Sequence, residues 1–477
     1  MAGSFFVHTF GCQMNVHDSD RMSETLRAHG WAEASAAGEA DVVVLNTCSV
    51  REKAEQKLRS EVGRLALLKR TRPEMLLVVA GCVAQQEGDK LLSREPALDL
   101  VIGPDNIEEL PGLLAEAQGG APPATRTVFD TQAPRFLAAR PEPGRAPVSA
   151  FVTTMKGCDE RCSFCIVPYT RGPERYRPAE DIVEECRRWV LAGSREIVLL
   201  GQTVDSFRDP SLPPPDGDGD PDETQFPHLL RRIATEVPGL LRLRYTSPHP
   251  RHATASLARA HAELDVLARH VHLPVQSGSD AILRRMIRRY TRAEYIERAR
   301  RLLAARPGLT LSTDVIVGFP GETDEDFEQT LSLVREVGFV SLFAFKYSPR
   351  PFTPALKLKG ELPEQVKDER LQRLLALADE QTKRNLAARV GTTVRVLVEG
   401  ASKAGATGTV EGRTDGNEIV HVDGTAELEV VGRLVDVEIT RENRHSLAGV
   451  LTPSSAATLP RTTRPARAVR ALPIVGP

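Results

Sequence analysis

The sequence has little net charge and no long apolar run. Its 477 residues carry a formal charge of −2 at neutral pH, so the chain is not a polycation, and any nucleic-acid surface must be a local patch. No apolar stretch is long enough to span a bilayer. The first residues, "MAGSFFVHTFGCQMN", lack the basic segment, apolar segment and cleavage site of a signal peptide. We therefore expect a cytoplasmic protein of roughly two to four domains, without a membrane partner.

Three cysteines, Cys158, Cys162 and Cys165, lie close together in "KGCDERCSFCIVPYTRG". Cytoplasmic thiols stay reduced, so we expect metal ligands or catalytic groups here rather than disulfides. A structural zinc site normally needs four ligands, and no fourth cysteine or histidine lies near this motif. An iron–sulfur cluster held by three protein thiolates keeps one iron open for a substrate or cofactor. The motif therefore predicts such a cluster.

Three further cysteines each end an apolar run near the N-terminus. The runs are "FFVHTFGC", "DVVVLNTC" and "LLVVAGC", which end at Cys12, Cys48 and Cys82, and helix-like segments separate them. Strand–helix–strand units of this kind predict a parallel sheet whose strands all end at one edge. The three cysteines should therefore meet at that edge and hold a second cluster. Cys186 has no cysteine partner in its helix, "DIVEECRRWV", and is predicted to be a packing residue.

The middle of the chain contains six strand candidates that alternate with amphipathic segments. They are "FVTTMKG", "EIVLLGQ", "LRLRYTS", "VHLPVQS", "TDVIVGF" and "LFAFKYS". Six such units predict a partial (β/α)6 barrel with its chemistry at the carboxyl ends of the strands. Residues 209–223, "DPSLPPPDGDGDPDE", hold six acids and no base, and are predicted to form a solvated, disordered loop.

Short, glycine-punctuated strand candidates follow a helical segment and predict a small all-β barrel, similar to oligonucleotide-binding barrels. The fold class is therefore α/β multidomain: a parallel α/β sheet domain, a partial barrel and a small β-barrel. The predicted boundaries are residues 1–118 for the N-terminal domain, 119–143 for a linker, 144–380 for the barrel core, 382–453 for the small β-barrel and 454–477 for a disordered basic tail.

Motifs along nearly the whole chain resemble one family, in the same order. "FGCQMN", "NTCSVREKAEQK", "GCDERCSFCIVPYTRG", "LLGQ", "VHLPVQSGSDAILRRMIRRYT" and "TDVIVGFPGETDEDF" are similar to the radical S-adenosylmethionine (SAM) methylthiotransferases. The small β-barrel resembles their RNA-binding TRAM domain. The wording "QMN" and "NTCSVREKAEQK" is similar to the branch that modifies N6-dimethylallyladenosine beside the anticodon of tRNA. It is less similar to the branches that act on a ribosomal-protein aspartate or on threonylcarbamoyladenosine.

The resemblance implies a transferase that adds a methylthio group to C2 of that adenosine. It implies two 4Fe–4S clusters: the central one forms a 5′-deoxyadenosyl radical from SAM, and the N-terminal one delivers the methylthio group, whose methyl comes from a second SAM. An aryl C–H has no acidic proton, so a cofactor must carry that step. The implied partners are the tRNA anticodon stem–loop and an electron donor such as flavodoxin or ferredoxin. The enzyme is expected to act as a monomer.

Residues at or near strand ends are the candidate SAM contacts, because a polar ligand binds at the mouth of such a barrel. They are Gln202, Gln276, Ser277, Asp314 and Gly318. Ordinary loop capping is the alternative role for each. The sequence departs from the usual family wording at four positions outside the predicted cluster ligands, and these bear on which base is modified: Tyr176, Thr203, Asp205 and Phe352.

Other functions stay open at the level of sequence. The same chemistry could act on another tRNA adenosine or on a protein side chain. A non-enzymatic iron–sulfur protein that binds RNA or senses redox state would keep the clusters but need no SAM pocket. The segment "ILRRMIRRY" and basic residues in the C-terminal region favour binding of RNA phosphates. The basic residues are Arg395, Lys403, Arg413, Arg433, Arg441 and Arg444.

Overall fold

The computed structural model describes residues 3–49, 52–129, 136–216, 219–402 and 408–461. Its N-terminal unit is a six-stranded parallel sheet in the order β2-β1-β3-β4-β5-β6, with a hydrophobic core on each face. The central strands are continuous Val- and Leu-rich runs because both of their faces are buried. The elements are β1 (Ser4–Phe10), α1 (Gln13–Ala28), β2 (Ala32–Glu33), β3 (Val42–Thr47), α2 (Glu52–Thr71), β4 (Leu76–Gly81), α3 (Cys82–Glu87), α4 (Asp89–Arg94), β5 (Leu100–Ile102), α5 (Leu110–Gln118) and β6 (Ala124–Arg126).

The prediction of a parallel α/β sheet is confirmed. Strands β1, β3 and β4 are neighbours in the sheet, and each ends within two residues of a cysteine. Strand β6 lies inside the segment that was predicted to be a linker, where it pairs with β5 and completes the sheet.

The central unit is built from two parallel three-stranded sheets, β7-β10-β11 and β12-β13-β14. A parallel bridge between Leu243 and Leu267 connects them, so six strands form the predicted partial barrel. The elements are β7 (Ser149–Thr153), β8 (Met155–Lys156), α6 (Val167–Thr170), β9 (Arg175–Tyr176), α7 (Ala179–Ala192), β10 (Glu196–Leu200), α8 (Phe226–Glu236), β11 (Arg242–Tyr245), α9 (Ala255–Glu263), β12 (His270–His272), α10 (Asp280–Arg285), α11 (Arg292–Ala305), β13 (Thr310–Val317), α12 (Asp324–Val337), β14 (Ser341–Lys346) and α13 (Glu364–Ala387).

The C-terminal unit is a closed five-stranded barrel in the order β15-β16-β17-β19-β18, as predicted. Its elements are β15 (Thr393–Ala401), β16 (Val410–Thr414), β17 (Ile419–Asp423), β18 (Leu434–Glu442), β19 (Leu447–Leu451) and α14 (Pro453–Thr458). The prediction of a disordered tail from residue 454 is wrong for residues 454–461, because α14 forms there and Arg461 makes a bridge with Leu428. The rest of the predicted tail and Lys403 lie outside the described residues.

The small β-barrel docks at the amino ends of the central strands, opposite the mouth. Arg242 at the start of β11 donates to Asp415 Oδ1 at 2.8 Å, and Arg244 donates to the carbonyl of Thr414 at 2.7 Å. Glu196 accepts hydrogen bonds from both arginines, so their buried charges are paired. The N-terminal sheet contacts the mouth instead. Helix α13 packs against β13 and β14 of the central unit and contacts β18 of the small β-barrel.

The acidic stretch packs against the central unit. The acidic stretch at residues 209–223 was predicted to be disordered, but its described part is held by the core: Asp209 caps Ala179, and Asp222 pairs with Arg251 and Arg298. Residues 217 and 218 of this stretch are outside the described residues.

Among the helices that the structure describes, none is long and apolar enough to cross a membrane.

Candidate cluster-binding centre

The central cysteine motif forms a loop at the carboxyl mouth of the barrel, directly after β8. Gly157 begins this loop with φ +81°, and a β-carbon there would lie 1.9 Å from the carbonyl oxygen of Pro173, so only glycine lets the two segments pass. Cys158 and Cys162 are buried and Cys165 is partly buried. Burial raises the pKa of Cys158, and it raises the pKa of Cys165 to about 12. Buried thiols of this kind ionise when a metal binds them.

Two side chains from elsewhere in the barrel hydrogen-bond to these sulfurs. Arg288 Nη1 donates to Cys162 Sγ at 3.2 Å, and Thr203 Oγ1 lies 2.9 Å from Cys158 Sγ. Arg288 is itself buried and donates to the hydroxyl of Tyr290. Hydrogen bonds to the sulfur ligands are one of the ways in which a protein sets the potential of an iron–sulfur cluster.

The structure brings the three N-terminal cysteines together at the edge of the parallel sheet. Cys12 caps α1, Cys48 follows β3, and Cys82 begins α3. The hydrogen bond between the Cys12 and Cys48 thiols lowers the pKa of Cys12 to about 6, against the effect of burial. Cys82 is close enough to Cys12 for the two to interact electrostatically, and burial raises its pKa. Cys186, in contrast, is fully buried in the hydrophobic core of the barrel.

Two fully buried asparagines hold the loop that carries Cys12. Asn15 Oδ1 accepts a hydrogen bond from Cys12 N at 3.3 Å, and Asn46 Nδ2 donates to the carbonyl of Asn15 at 2.8 Å. Asn46 also donates to Ser19 Oγ at 2.9 Å. Because buried amides are costly unless they are paired, this network fixes the position of the thiol.

Arg171 connects the two cysteine sites. It lies six residues after Cys165, and its Nε donates to Cys82 Sγ at 3.3 Å. Its Nη2 donates to Asp18 Oδ2 at 2.5 Å, in a pair that is buried on both sides. Around it, Thr153 hydrogen-bonds to His17 at 2.9 Å, so the N-terminal sheet and the barrel mouth form one continuous interior.

The donor set fits the iron–sulfur clusters that the resemblance implies. Among the described residues, no group of three His, Cys, Asp or Glu side chains is arranged to hold a single metal ion. A 4Fe–4S cluster needs a different arrangement, because each thiolate binds a separate iron atom. Each of the two sites offers three soft sulfur donors, and these are the ligands that such clusters take.

Three of the candidate SAM contacts lie at or beside the mouth. Gln202 Oε1 accepts a hydrogen bond from Gly157 N at 2.5 Å, and its Nε2 is buried without a partner among the described residues. Gln276 follows β12 with φ +71° and is partly exposed. Asp314 Oδ1 lies 3.4 Å from His272 Nε2.

The other two candidates already have partners inside the protein. Ser277 is fully buried, and its hydroxyl lies 3.4 Å from the hydroxyl of Thr330 in α12. Gly318 has φ +71°, and its N–H donates to Glu322 Oε2 at 2.7 Å. Contacts of this kind are what loop capping, the alternative role for both residues, would require.

Sequence reasoning missed a buried polar cluster behind the cysteine loop. It contains Glu160, Asp205, His249 and His252. Asp205 Oδ1 accepts from the backbone of His249 at 2.8 Å, and burial raises the pKa of Asp205 to about 7. Glu160 Oε2, Asp205 Oδ2 and His249 Nε2 are buried without hydrogen-bond partners in the described part of the chain; Glu160 Oε2 and His249 Nε2 face each other at 3.8 Å, too far for a hydrogen bond. Together with the amide of Gln202, these orphaned atoms fit a polar ligand at the mouth.

The signal for this cluster was present in the sequence, since "TSPHPRH" directly follows β11. Strained backbone concentrates in the same region. Seven non-glycine residues in the described part of the chain have positive φ, and six of them lie in loops around the mouth: Arg161, Ser247, Gln276, Ile287, Arg289 and Phe352. Such outliers cluster at functional sites, where the surrounding structure holds them in place.

The predicted RNA-binding arginines divide into exposed and internal ones. In "ILRRMIRRY", Arg288 is internal and Arg285 donates to the carbonyls of Pro320 and Lys359, so that segment is only partly a surface. In the small β-barrel, Arg413 is half-buried and lies 3.5 Å from Glu399. The exposed arginines are Arg284 and Arg289 in that segment, and Arg395, Arg433, Arg441 and Arg444 in the small β-barrel.

The fold and the two cysteine sites define a three-unit radical SAM protein with a second cluster domain. Residues 4–103 match the uncharacterized protein family UPF0004, residues 152–334 match the radical SAM superfamily, and residues 387–452 match the TRAM domain. The solved structure of the radical SAM methyltransferase TsrM from Kitasatospora setae, which holds tryptophan and a SAM analogue, is similar in fold. Its TM-score is 0.54 at 14% identity, over 74% of this chain and 75% of that one.

Relatives identify the family more narrowly. A tRNA-2-methylthio-N(6)-dimethylallyladenosine synthase of Sorangium cellulosum is 62% identical, over 99% of this chain and 98% of that protein. One from Anaeromyxobacter dehalogenans is 47% identical, over 94% of each chain. The chain belongs to the tRNA-2-methylthio-N(6)-dimethylallyladenosine synthase family.

Proposed function

We propose that this protein is the transferase that methylthiolates C2 of N6-dimethylallyladenosine beside the anticodon in tRNA, with SAM and two 4Fe–4S clusters as cofactors. The observation that carries the proposal is the presence of two cysteine trios, one in the cysteine loop of the barrel and one in the N-terminal sheet that Arg171 of that loop contacts, in a chain of this family. The orphaned polar atoms at the same mouth favour an enzyme with a bound cofactor over a purely structural or redox-sensing iron–sulfur protein.

In this proposal the residues of the chain bind the clusters, orient their ligands and shield the site from water. Cys158, Cys162 and Cys165 would hold the catalytic cluster, which when bound would supply the chemistry for cleaving SAM and removing hydrogen from C2. Thr203 and Arg288 hydrogen-bond to its sulfur ligands. Because the thiols are buried or nearly so, the protein keeps bulk water away from the site.

Cys12, Cys48 and Cys82 hold the auxiliary cluster in the same proposal, close to the mouth that receives the adenosine. The hydrogen bond from Arg171 of the barrel to Cys82 supports this proposal, because these cysteines would then supply the methylthio group from a site that contacts the catalytic unit. Gln202, Gln276 and Asp314 are the proposed SAM contacts of the mouth, and Ser277 and Gly318 shape the loops that carry them.

Partners and organisation follow from this reaction. The tRNA anticodon stem–loop is the substrate, a low-potential donor such as flavodoxin or ferredoxin supplies electrons, and the enzyme works as a monomer in the cytoplasm, where tRNA is modified. We propose domains at residues 1–118, 144–380 and 382–453, with β6 of the 119–143 linker belonging to the first sheet.

Nucleoside analysis of tRNA tests the function directly. A deletion strain should lose 2-methylthio-N6-dimethylallyladenosine and accumulate N6-dimethylallyladenosine, and the intact gene should restore the product. A variant with Cys158, Cys162 and Cys165 all changed to Ala should not restore it. Cys186→Ala, a buried cysteine outside both sites, is the matched control and should restore it. An unchanged nucleoside profile in the deletion strain would refute the proposal.

Iron content tests the two sites separately. Anaerobically purified protein should carry about eight irons per chain as two clusters. Changing either trio to Ala should leave about half of the iron, because the other trio is intact. Full iron in both triple variants would show that the cysteines do not hold the clusters.

A further inference from the structure

We propose that Phe352 and Tyr169 form a stacking platform for a base of the substrate RNA loop, next to the adenosine that is modified. The inference rests on the proposed function and adds the side chains that would hold single-stranded RNA at the mouth. Phe352 is 58% exposed and Tyr169 is 40% exposed. Every other Phe, Tyr and Trp side chain in the described residues is buried or half-buried.

The two exposed rings touch each other. Their centroids are 5.8 Å apart and their planes are inclined by 37°, within the range of attractive aromatic pairs. All other described aromatic side chains are more buried than these two. Phe352 and Tyr169 are thus exposed to solvent and in contact with each other at the same place on the surface. An exposed apolar pair of this kind is typical of a surface that binds something.

The backbone at Phe352 supports a role outside the chain. Arg350, Pro351, Phe352 and Thr353 form a turn in which Thr353 N donates to Arg350 O at 3.4 Å. Phe352 is the third residue of this turn, with φ +67°, where glycine is strongly favoured because a side chain is strained. Apart from its contact with Tyr169, the ring is largely in solvent and gains little packing inside the protein, which favours an intermolecular use for it.

The platform is fixed between the two cysteine sites. Tyr169 belongs to α6, which begins two residues after Cys165. The segment after Phe352 is tied to the cysteine loop by the hydrogen bond from Ala355 N to Ser163 O at 2.9 Å. On the other side, Arg350 Nη1 lies 3.4 Å from Glu55 Oε1 of α2, the helix that follows Cys48.

The ligand that fits this position is an unpaired nucleobase. Anticodon-loop bases are single-stranded and can stack on aromatic side chains, and such stacking tolerates any base because each has a π face. Lys357 and Lys359 are exposed on the same segment and suit the phosphates of that strand. A base held on the platform would keep the neighbouring adenosine over the mouth.

The test compares Phe352→Gly with the parent protein. Affinity for an anticodon stem–loop RNA that carries N6-dimethylallyladenosine should fall by about 10-fold, as expected for the loss of one base–aromatic stack. The slope of log affinity against log salt should not change, because stacking involves no counterion release. The melting temperature should stay the same or rise, because glycine relieves the strain at φ +67°.

Rescue and control variants make the result specific. Phe352→Trp should restore affinity, and since Trp31 and Trp189 are buried, RNA should protect the new indole from an aqueous quencher. Tyr169→Ala should weaken binding, whereas Leu191→Ala removes an exposed apolar side chain on α7 and should not.

The outcomes separate this inference from the proposed function. Parental affinity for RNA in both Phe352→Gly and Tyr169→Ala overturns the platform and leaves the proposed function in place. If Phe352→Gly keeps RNA affinity but slows reduction by flavodoxin, the pair is a protein-docking surface and the proposal is wrong. If the parent protein itself does not bind the stem–loop, the proposed function fails, and the platform fails with it.

Discussion

Arg171 donates a hydrogen bond to Cys82 Sγ at 3.3 Å, although the arginine belongs to the barrel and the cysteine to the N-terminal sheet. The same guanidinium pairs with Asp18 at 2.5 Å, inside the interface between the two units. One residue of the central motif therefore reaches the auxiliary site. The two cysteine trios belong to two units whose interface is crossed by one buried arginine.

Arg171→Met should destabilise the protein strongly, because it leaves the carboxylate of Asp18 buried without its partner. Removing one partner of a buried ion pair typically costs about 3–5 kcal/mol. The double variant Asp18→Asn with Arg171→Met should recover a substantial part of that loss, since it leaves no uncompensated charge. Denaturant unfolding of parent, single and double variants measures this, and a single variant as stable as the parent would contradict it.

Thr203→Val should make the potential of the catalytic cluster more negative. The substitution removes the hydrogen bond at 2.9 Å to Cys158 Sγ, which stabilises the more negatively charged, reduced form. A differential of about 1 kcal/mol corresponds to ~40 mV for one electron. A redox titration should be done in a background without Cys12, Cys48 and Cys82, so that one cluster is observed. Thr203→Ser keeps the hydroxyl and should keep the parental potential; equal potentials for Val and Ser would reject the role.

Asp205→Asn should stabilise the protein at pH 8 and change little at pH 5. Burial raises the pKa of Asp205 to about 7, so the folded state holds its proton more tightly than the unfolded chain. Stability is then lost as pH rises from about 4 to about 7, by a few kcal/mol at most. Asparagine has no charge to bury, so the variant should not lose stability as the pH rises over this range. Unfolding at both pH values measures it, and an equal effect at pH 5 and pH 8 would contradict the assignment.

The sequence was sufficient for the strands but not for the contacts between units. The apolar runs that end at Cys12, Cys48 and Cys82 predict a parallel sheet, and a parallel sheet brings their ends to one edge whatever lies between them. The roles of Arg171 and Arg288 could not be predicted in this way. Arg288 is one of four arginines in "ILRRMIRRY" and Arg171 lies near the end of the cysteine motif, and only tertiary packing decides that each turns inward to a sulfur.

The same limit applies to segments whose composition is typical of disorder. The acids of residues 209–223 have a solvated pattern, because the arginines that pair with Asp222 come from distant elements. Phe352 departs from the family wording in the sequence itself, but its exposure and its contact with Tyr169 are tertiary facts. Local composition does not contain either relationship.

Exposed arginines of the small β-barrel should bind phosphates of the tRNA backbone. Changing Arg395, Arg433 and Arg441 to Ala should weaken tRNA binding. It should also make the negative slope of log affinity against log salt shallower by about 2 to 3, which is close to one unit for each phosphate that is no longer neutralised. Point variants are needed, because truncating the barrel would also strip the partners from the buried Arg242 and Arg244. Arg300→Ala is the control: it removes a similarly exposed charge from α11 of the central unit, outside the small β-barrel, and should leave the slope unchanged. Identical slopes for the triple variant and the parent would mean that this barrel only packs against the core.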